Sequence, residues 1–195
     1  MRAGAYHGAV ICVPPSVVLN GVVMRPLEGA DAPALYRAYL RNRDHLRPWE
    51  PRRPEGFFTE AGQAERVRGQ LEEREAGRSV PWVLAAGPEV VGWVALSNVA
   101  LGPFRSANLG YWVDARYAGR GLATAAALQA CRTADELLGL HRVEAGTLLA
   151  NLASQRVLAK CGFTRIGTAP EYLHIDGEWR DHVIFQKILN DRAPR

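Results

Sequence analysis

The chain is poor in the features that mark exported, membrane-bound or metal-holding proteins. Cysteine is scarce: Cys12, Cys131 and Cys161 are an odd number, with no CxxC pair and no metal-ligand spacing. That argues against a disulfide framework or a zinc ribbon, and points to three structural thiols in a reducing cytoplasm with no metal. No apolar run approaches the ~20 residues a membrane-spanning helix needs. Residues 3–13 look faintly like the apolar stretch of a signal peptide, but His7 and two glycines interrupt them and Pro14-Pro15 follows without a clear cleavage site. Residues 1–16 are therefore expected to be an ordinary N-terminal extension. No internal repeat, low-complexity tract or linker divides the rest. What is present is 195 residues, 48% hydrophobic and 23% charged, which suits one domain with a full core. The net charge of +4 suits an anionic ligand.

Local signals give an element order. Val17-Val18-Leu19 and Val22-Val23-Met24 flank Asn20-Gly21, a hairpin dipeptide whose residues tolerate positive φ. Asp31 is a candidate N-cap for a helix over 32–43, and Pro48, Pro51 and Pro54 then enforce a loop. Thr59 can cap a helix that runs to Ala76 and stops at Gly77. Strand-like runs follow at 80–85, 90–98 and 107–113, then an Ala-rich helix over 121–138, a strand over 142–149 and a helix over 152–161. Two last strands flank Asp176-Gly177. The strand–loop–helix–strand passage at 107–149 implies one parallel pair in a mostly antiparallel sheet. The expectation is an α+β domain of three layers, a mixed sheet with flanking helices.

The most informative stretch runs from Tyr111 to Thr124. A strand ends, Gly119 and Gly121 turn the chain, and a long helix begins. Backbone N–H groups in such a turn converge on one concavity, where the helix dipole adds roughly half a positive charge. Arg116 and Arg120 are expected to add mobile positive charge. Thr124 breaks the G-x-G-x-x-G of a dinucleotide site, and no Gly-Lys-Ser/Thr of a Walker loop is present. What remains is R-x-x-G-x-G, Arg116 to Gly121. It resembles the pyrophosphate loop of the GNAT acetyltransferase superfamily. Asn151-Leu-Ala-Ser154 followed by Gly162-Phe163 resembles that superfamily's second landmark, although Asn151 could equally be a plain helix N-cap and Ser154 a first-turn hydroxyl.

Within the superfamily the chain is similar to the RimJ/RimL-like ribosomal-protein N-acetyltransferases, and most to the RimJ side. The resemblance spans about residues 17–190. It rests on the two motifs, on His45-Leu46-Arg47-Pro48-Trp49-Glu50-Pro51, on Ser97-Asn98-Val99, on Leu109-Gly110-Tyr111, on His141-Arg142 and on the run Tyr172–Val183. It implies a GNAT domain over 17–190, a GNAT-type fold and acetyl-CoA as co-substrate. The implied acceptor is the N-terminal amine of a ribosomal protein, with alanine a plausible first residue. No nucleic acid or membrane contact is implied, and the oligomer is expected to be a monomer or homodimer.

The resemblance assigns cofactor contact to Trp112, Val113, Arg116, Ala118, Gly119, Arg120, Gly121, Ala123, Asn151 and Ser154. The backbone N–H of Val113 would meet the thioester carbonyl, Asn151 would face the pantetheine arm, and Ser154 would lie near the sulfur. Trp49, Tyr111 and Leu173 are the implied acceptor contacts. The base is less defined. RimL-like relatives carry a Cys and a Glu where this chain has Thr147 and Leu173, so Glu171, His174 and Glu144 are the candidate substitutes. Two other functions stay open: a small-molecule amine or antibiotic acetyltransferase, and a non-catalytic acetyl-CoA sensor.

Overall fold

The computed structural model describes residues 13–194; Cys12 and most of the expected extension lie outside the described residues. Eight strands form one sheet. In chain order they are β1 (Ser16–Leu19), β2 (Val22–Pro26), β3 (Val80–Ala86), β4 (Glu89–Ala100), β5 (Ser106–Val113), β6 (Arg142–Leu148), β7 (Thr164–Ile175) and β8 (Glu178–Ile188). The spatial order is β1-β2-β3-β4-β5-β6-β8-β7. Among the described strands only β5 and β6 are parallel, joined by a crossover through α4 (Leu122–Glu136) as the sequence implied. The other helices are α1 (Ala32–Arg41), the short α2 (Arg43–Leu46), α3 (Glu60–Glu75) and α5 (Leu152–Lys160).

Two apolar cores sit on the two faces of the sheet. On one face α4 presents Leu122, Ala126, Ala127, Ala130 and Ala134 to Trp82, Leu84, Val94 and Leu96. On the other, Leu35, Ala38 and Tyr39 of α1 and Val67 of α3 cover Val83, Val90 and Trp112. This explains the unbroken apolar run from Val80 to Ala85. A strand covered on both faces has no solvated side and so no alternation.

Thr59 caps α3 as expected, its hydroxyl accepting from Gly62 N at 3.0 Å. Asp31 does not cap α1 with its side chain. Its carboxylate accepts instead from the Arg25 guanidinium at 2.8 Å and from Glu28 N at 2.9 Å, because the strand that precedes it brings a cation within reach. The anticipated helix over 32–43 breaks at Asn42, and α2 and a 3-10 turn over Arg47–Trp49 fold the chain back across one end of the sheet. Asp176 N donates to Glu50 O at 3.2 Å, fastening that turn to the β7–β8 hairpin.

Candidate functional site

The site is a split in the sheet. β5 and β6 pair only over Ser106–Asn108 and Arg142–Glu144, then diverge. Beyond that point β5 keeps β4 and β6 keeps β8. Asp114 N donates to Val91 O at 2.8 Å, so the alternation of an antiparallel ladder turns the N–H groups of Val113 and Tyr111 the other way, toward the gap that β6 has left. A cavity of about 310 Å³ occupies the gap. Tyr111, Trp112 and Val113 of β5 line one wall, Ala145–Leu148 of β6 and His182 of β8 another, and Asn151 and Ser154 of α5 a third. His45, Trp49 and Glu50 line the end that faces α2.

At the other end the cavity continues into a smaller one of about 160 Å³ that shares Val113, Gly119 and Ala123 with it. Here the chain turns through Gly119 (φ 73°) and Gly121 (φ 85°), both in the left-handed region that a side chain rarely adopts. A Cβ on Gly119 would meet nothing within 4 Å and would project into open space. The first intrahelical bond of α4 runs from Ala125 N to Gly121 O, and no side chain caps the helix. The N–H groups of Leu122, Ala123 and Thr124 are thus unspent at a positive helix end, which fits an anionic phosphate group. Arg156 and Lys160 of α5 line the same smaller cavity.

A buried carboxylate holds this loop. Asp114 accepts from Arg41 Nε at 2.7 Å, from Asn42 Nδ2 at 3.1 Å and from Arg116 N at 2.9 Å. Burial opposes its ionisation, but the hydrogen bonds from Arg116, Asn42 and Arg41 outweigh burial and hold the carboxyl well below the usual carboxylate range. Arg116 is therefore not a mobile charge. Its guanidinium is divided between Asp114 and Glu89, the latter at 2.7 Å, because β4 begins directly beside the loop. Arg120 makes no such pair among the described residues.

Tyr111 and Ser154 meet across the split, Oη to Oγ at 2.8 Å. Burial pushes the Tyr111 phenol up to about 12, against the Ser154 hydrogen bond, which lowers it. Asn151 does act as a helix N-cap, its Oδ1 accepting from Ser154 N at 3.0 Å, and it also lines the cavity. Burial likewise raises the Glu50 carboxyl, with Arg53 and Arg66 pulling the other way.

The candidate bases do not reach the cavity. β7 bulges between Ala169 and Leu173, and Glu171 sits in the bulge at φ 46° with its N–H held by Asp181 at 2.9 Å. Glu171, Leu173 and His174 are all exposed and none lines the split. His174 instead meets Trp179, its partner on β8, edge-on at 5.4 Å. Glu144 pairs with Arg142 at 3.1 Å, where β5 and β6 are still joined. Sequence reading passed over His182, which is 3% exposed and lines the cavity. Only its place inside the run Tyr172–Val183 hinted at it. Among the described residues no group of three or more His, Cys, Asp or Glu side chains could hold a metal ion.

Residues 22–164 match the family described as the Acetyltransferase (GNAT) domain. The chain is 34% identical over 176 residues to the [ribosomal protein uS5]-alanine N-acetyltransferase of Escherichia coli, covering 89% of this chain and 90% of that one. It superposes on the ribosomal-protein-S5-alanine acetyltransferase of Vibrio fischeri with a TM-score of 0.88 at 31% identity, covering 93% of this chain and all of that one. It superposes on Mycobacterium smegmatis RimJ, solved in complex with CoA-disulfide, with a TM-score of 0.84 at 35% identity, covering 90% and 86% of the two chains. With the sheet split, the uncapped helix end and these likenesses together, the chain belongs to the GNAT acetyltransferase family and is an acetyl-CoA-dependent N-acetyltransferase.

Proposed function

We propose that the acceptor is the N-terminal α-amine of a ribosomal protein, with alanine as the first residue to test. The observation that carries this is the open acceptor end of the split. Trp49 and Leu148 are shared between the central cavity and an adjoining groove of about 500 Å³ that runs to Trp179 and Asp181 of the β8 hairpin. A groove of that length suits an extended chain rather than a small amine. A polycationic antibiotic would need an acidic pocket. The pocket beside Glu50 sets Arg43, Arg47, Arg52 and Arg53 against Glu50, Glu55 and Asp176. The likeness to uS5-alanine acetyltransferases from two bacteria points the same way.

In this reading residues 17–190 are the catalytic domain, and Trp49 and Tyr111 flank the acceptor. The N–H groups of the Gly119–Thr124 turn take the pyrophosphate, with Ala118 and Trp112 against the cofactor arm and Asn151 facing the pantetheine. The N–H of Val113, turned into the gap, donates to the thioester carbonyl oxygen as charge develops there. Burial pushes the Tyr111 phenol up to about 12, which makes it a weaker acid than an ordinary thiol of ~8.5. The proton stays on Tyr111. Either hydroxyl can donate across the 2.8 Å contact, and with Tyr111 as the donor the Ser154 hydroxyl hydrogen is free for the sulfur. The enzyme is assigned to the cytoplasm, as a monomer or homodimer. No helix among the described residues is long and apolar enough to cross a membrane.

The test is acetyl transfer to a panel of peptides that differ only in the first residue, run beside polyamines and aminoglycosides. Transfer to the α-amine of at least one peptide supports the proposal. Transfer confined to the small amines refutes it, and cofactor binding without any transfer would make the chain a sensor.

A further inference from the structure

His182 sits mid-strand in β8, opposite Leu148 of β6 and Ala169 of β7. Its Nδ1 lies 3.0 Å from the carbonyl oxygen of Arg180. A carbonyl oxygen can only accept, so Nδ1 carries the hydrogen, and in the neutral ring Nε2 is left with its lone pair. No described residue bonds Nε2. The ring's Cδ2 edge, which adjoins Nε2, lies against Gly146: a Cβ there would come within 3.6 Å of Cδ2 and 3.5 Å of the Tyr172 ring. Gly146 and His182 both line the cavity. So does Thr147, which is 5% exposed and whose hydroxyl has no partner among the described residues. Thr147 pairs with Val183 and so points to the other face of the ladder, which leaves His182 Nε2 as the unpartnered basic nitrogen on its own face of the β6–β8 wall.

We infer that His182 is the proton acceptor for the attacking amine. This rests on the amine-acceptor reading above. The amine must arrive neutral. Its lone pair forms the N–C bond to the thioester carbonyl while one N–H proton passes to His182 Nε2, and the N–H of Val113 meets the oxyanion. Collapse breaks the C–S bond and releases the thiolate toward Ser154. The imidazolium returns its proton to solvent through the open acceptor end. The orientation follows from the bond at Nδ1, since a ring held there can only receive a proton at Nε2. The other ionisable groups around the ring are Tyr172 on β7, Tyr111 on β5, and His45 and Glu50 at the α2 end of the cavity. β6 contributes none between Ala145 and Leu148. Glu50 is the rival base, but its carboxylate is flanked by Arg53, at 3.7 Å, and by Arg66.

The test uses the full-length enzyme and whichever amine wild type acetylates. The acid limb of kcat/KM against pH should report two ionisations in wild type, the amine and the imidazole, and only the amine in His182→Gln. His182→Gln should lose about a hundredfold in kcat, an ordinary share for a positioned base, with coenzyme A affinity and Tm unchanged. His182→Ala should regain activity with added imidazole. Independently of any variant, nitrogen NMR of ring-labelled wild type should find the Nδ1–H tautomer for His182. His182→Gln within threefold of wild type, an unchanged limb, loss of the limb in Glu50→Gln instead, or an Nε2–H tautomer would each overturn the inference. Failure of wild type on every peptide would count against the acceptor reading alone, because the tautomer and the limb with another amine still score His182.

Discussion

Asp114→Asn is the perturbation that the structure prices most directly. The side chain keeps its shape and loses its charge. It is 1% exposed, and it orders Arg41, Asn42 and Arg116 around the start of the cofactor loop. Hydrogen bonds to a charged partner contribute about 1.5–3 kcal/mol each. The Arg41 and Arg116 side chains are 32% and 50% exposed, so they recover much of their solvation and those two pairs are discounted to about 1 kcal/mol apiece. The bond from Asn42, itself buried, is worth about another 1 kcal/mol once an amide replaces the carboxylate. The total is about 3 kcal/mol, or a fall in Tm of about 9 °C for a domain of this size. A loop that must be reordered by its ligand should also bind coenzyme A about tenfold more weakly, which is about 1.4 kcal/mol. Thermal denaturation with and without coenzyme A measures the first effect and isothermal titration the second. The carboxyl is depressed in the folded state, so its stabilisation is full above the unfolded value of ~3.9 and is lost as pH falls below that toward the lower folded value. The gap between wild type and variant should therefore hold from pH 8 to about pH 5 and narrow under stronger acid. A Tm within about 2 °C of wild type would refute the ledger. A large loss of stability with unchanged coenzyme A affinity would refute the link from Asp114 to the loop.

Gly119→Glu places a carboxylate where the pyrophosphate is to lie, at a φ that resists any side chain; titration should show coenzyme A binding lost, and unchanged affinity would remove the loop assignment. Ser154→Ala and Tyr111→Phe break one hydrogen bond between them, so their effects on kcat, each about tenfold, should not add in the double variant when measured by thiol release. Leu35→Ala, at a fully buried position between α1 and the sheet, should cost about 2–5 kcal/mol by urea denaturation without altering KM for acetyl-CoA in the remaining folded enzyme. Thr59→Ala should cost about 1 kcal/mol by the same measurement, through the lost cap on α3.

What could be read in the sequence was local. The turn at Gly119 and Gly121, the Asn151 cap and the Asp176-Gly177 hairpin all depend on neighbours a few residues away, and their side chains or φ values state the conformation directly. The strand order around β5 and β6 followed from one long helix between two apolar runs. What escaped was set by partners distant in the chain. Arg116 looks mobile until Glu89 and Asp114 are placed on either side of it. Glu171 and His174 stand as substitute bases by their place in the chain alone, and the bulged β7 leaves both exposed and outside the split. His182 reaches the cavity only through its register against Leu148, and nothing within the Arg180–Ile184 segment announces that register. Asp31 shows the same limit at a helix start, where the Arg25 cation outcompeted the backbone it was expected to cap.

The central claim is that the split holds acetyl-CoA beside the α-amine of a protein chain. The direct measurement is mass spectrometry of a ribosomal-protein N-terminal peptide beginning with alanine, incubated with enzyme and acetyl-CoA and fragmented to locate the modification. The account predicts one added acetyl group on the first residue, absent when Gly119→Glu replaces wild type. Acetylation on lysine side chains only, or none on any peptide while polyamines are acetylated, would contradict it.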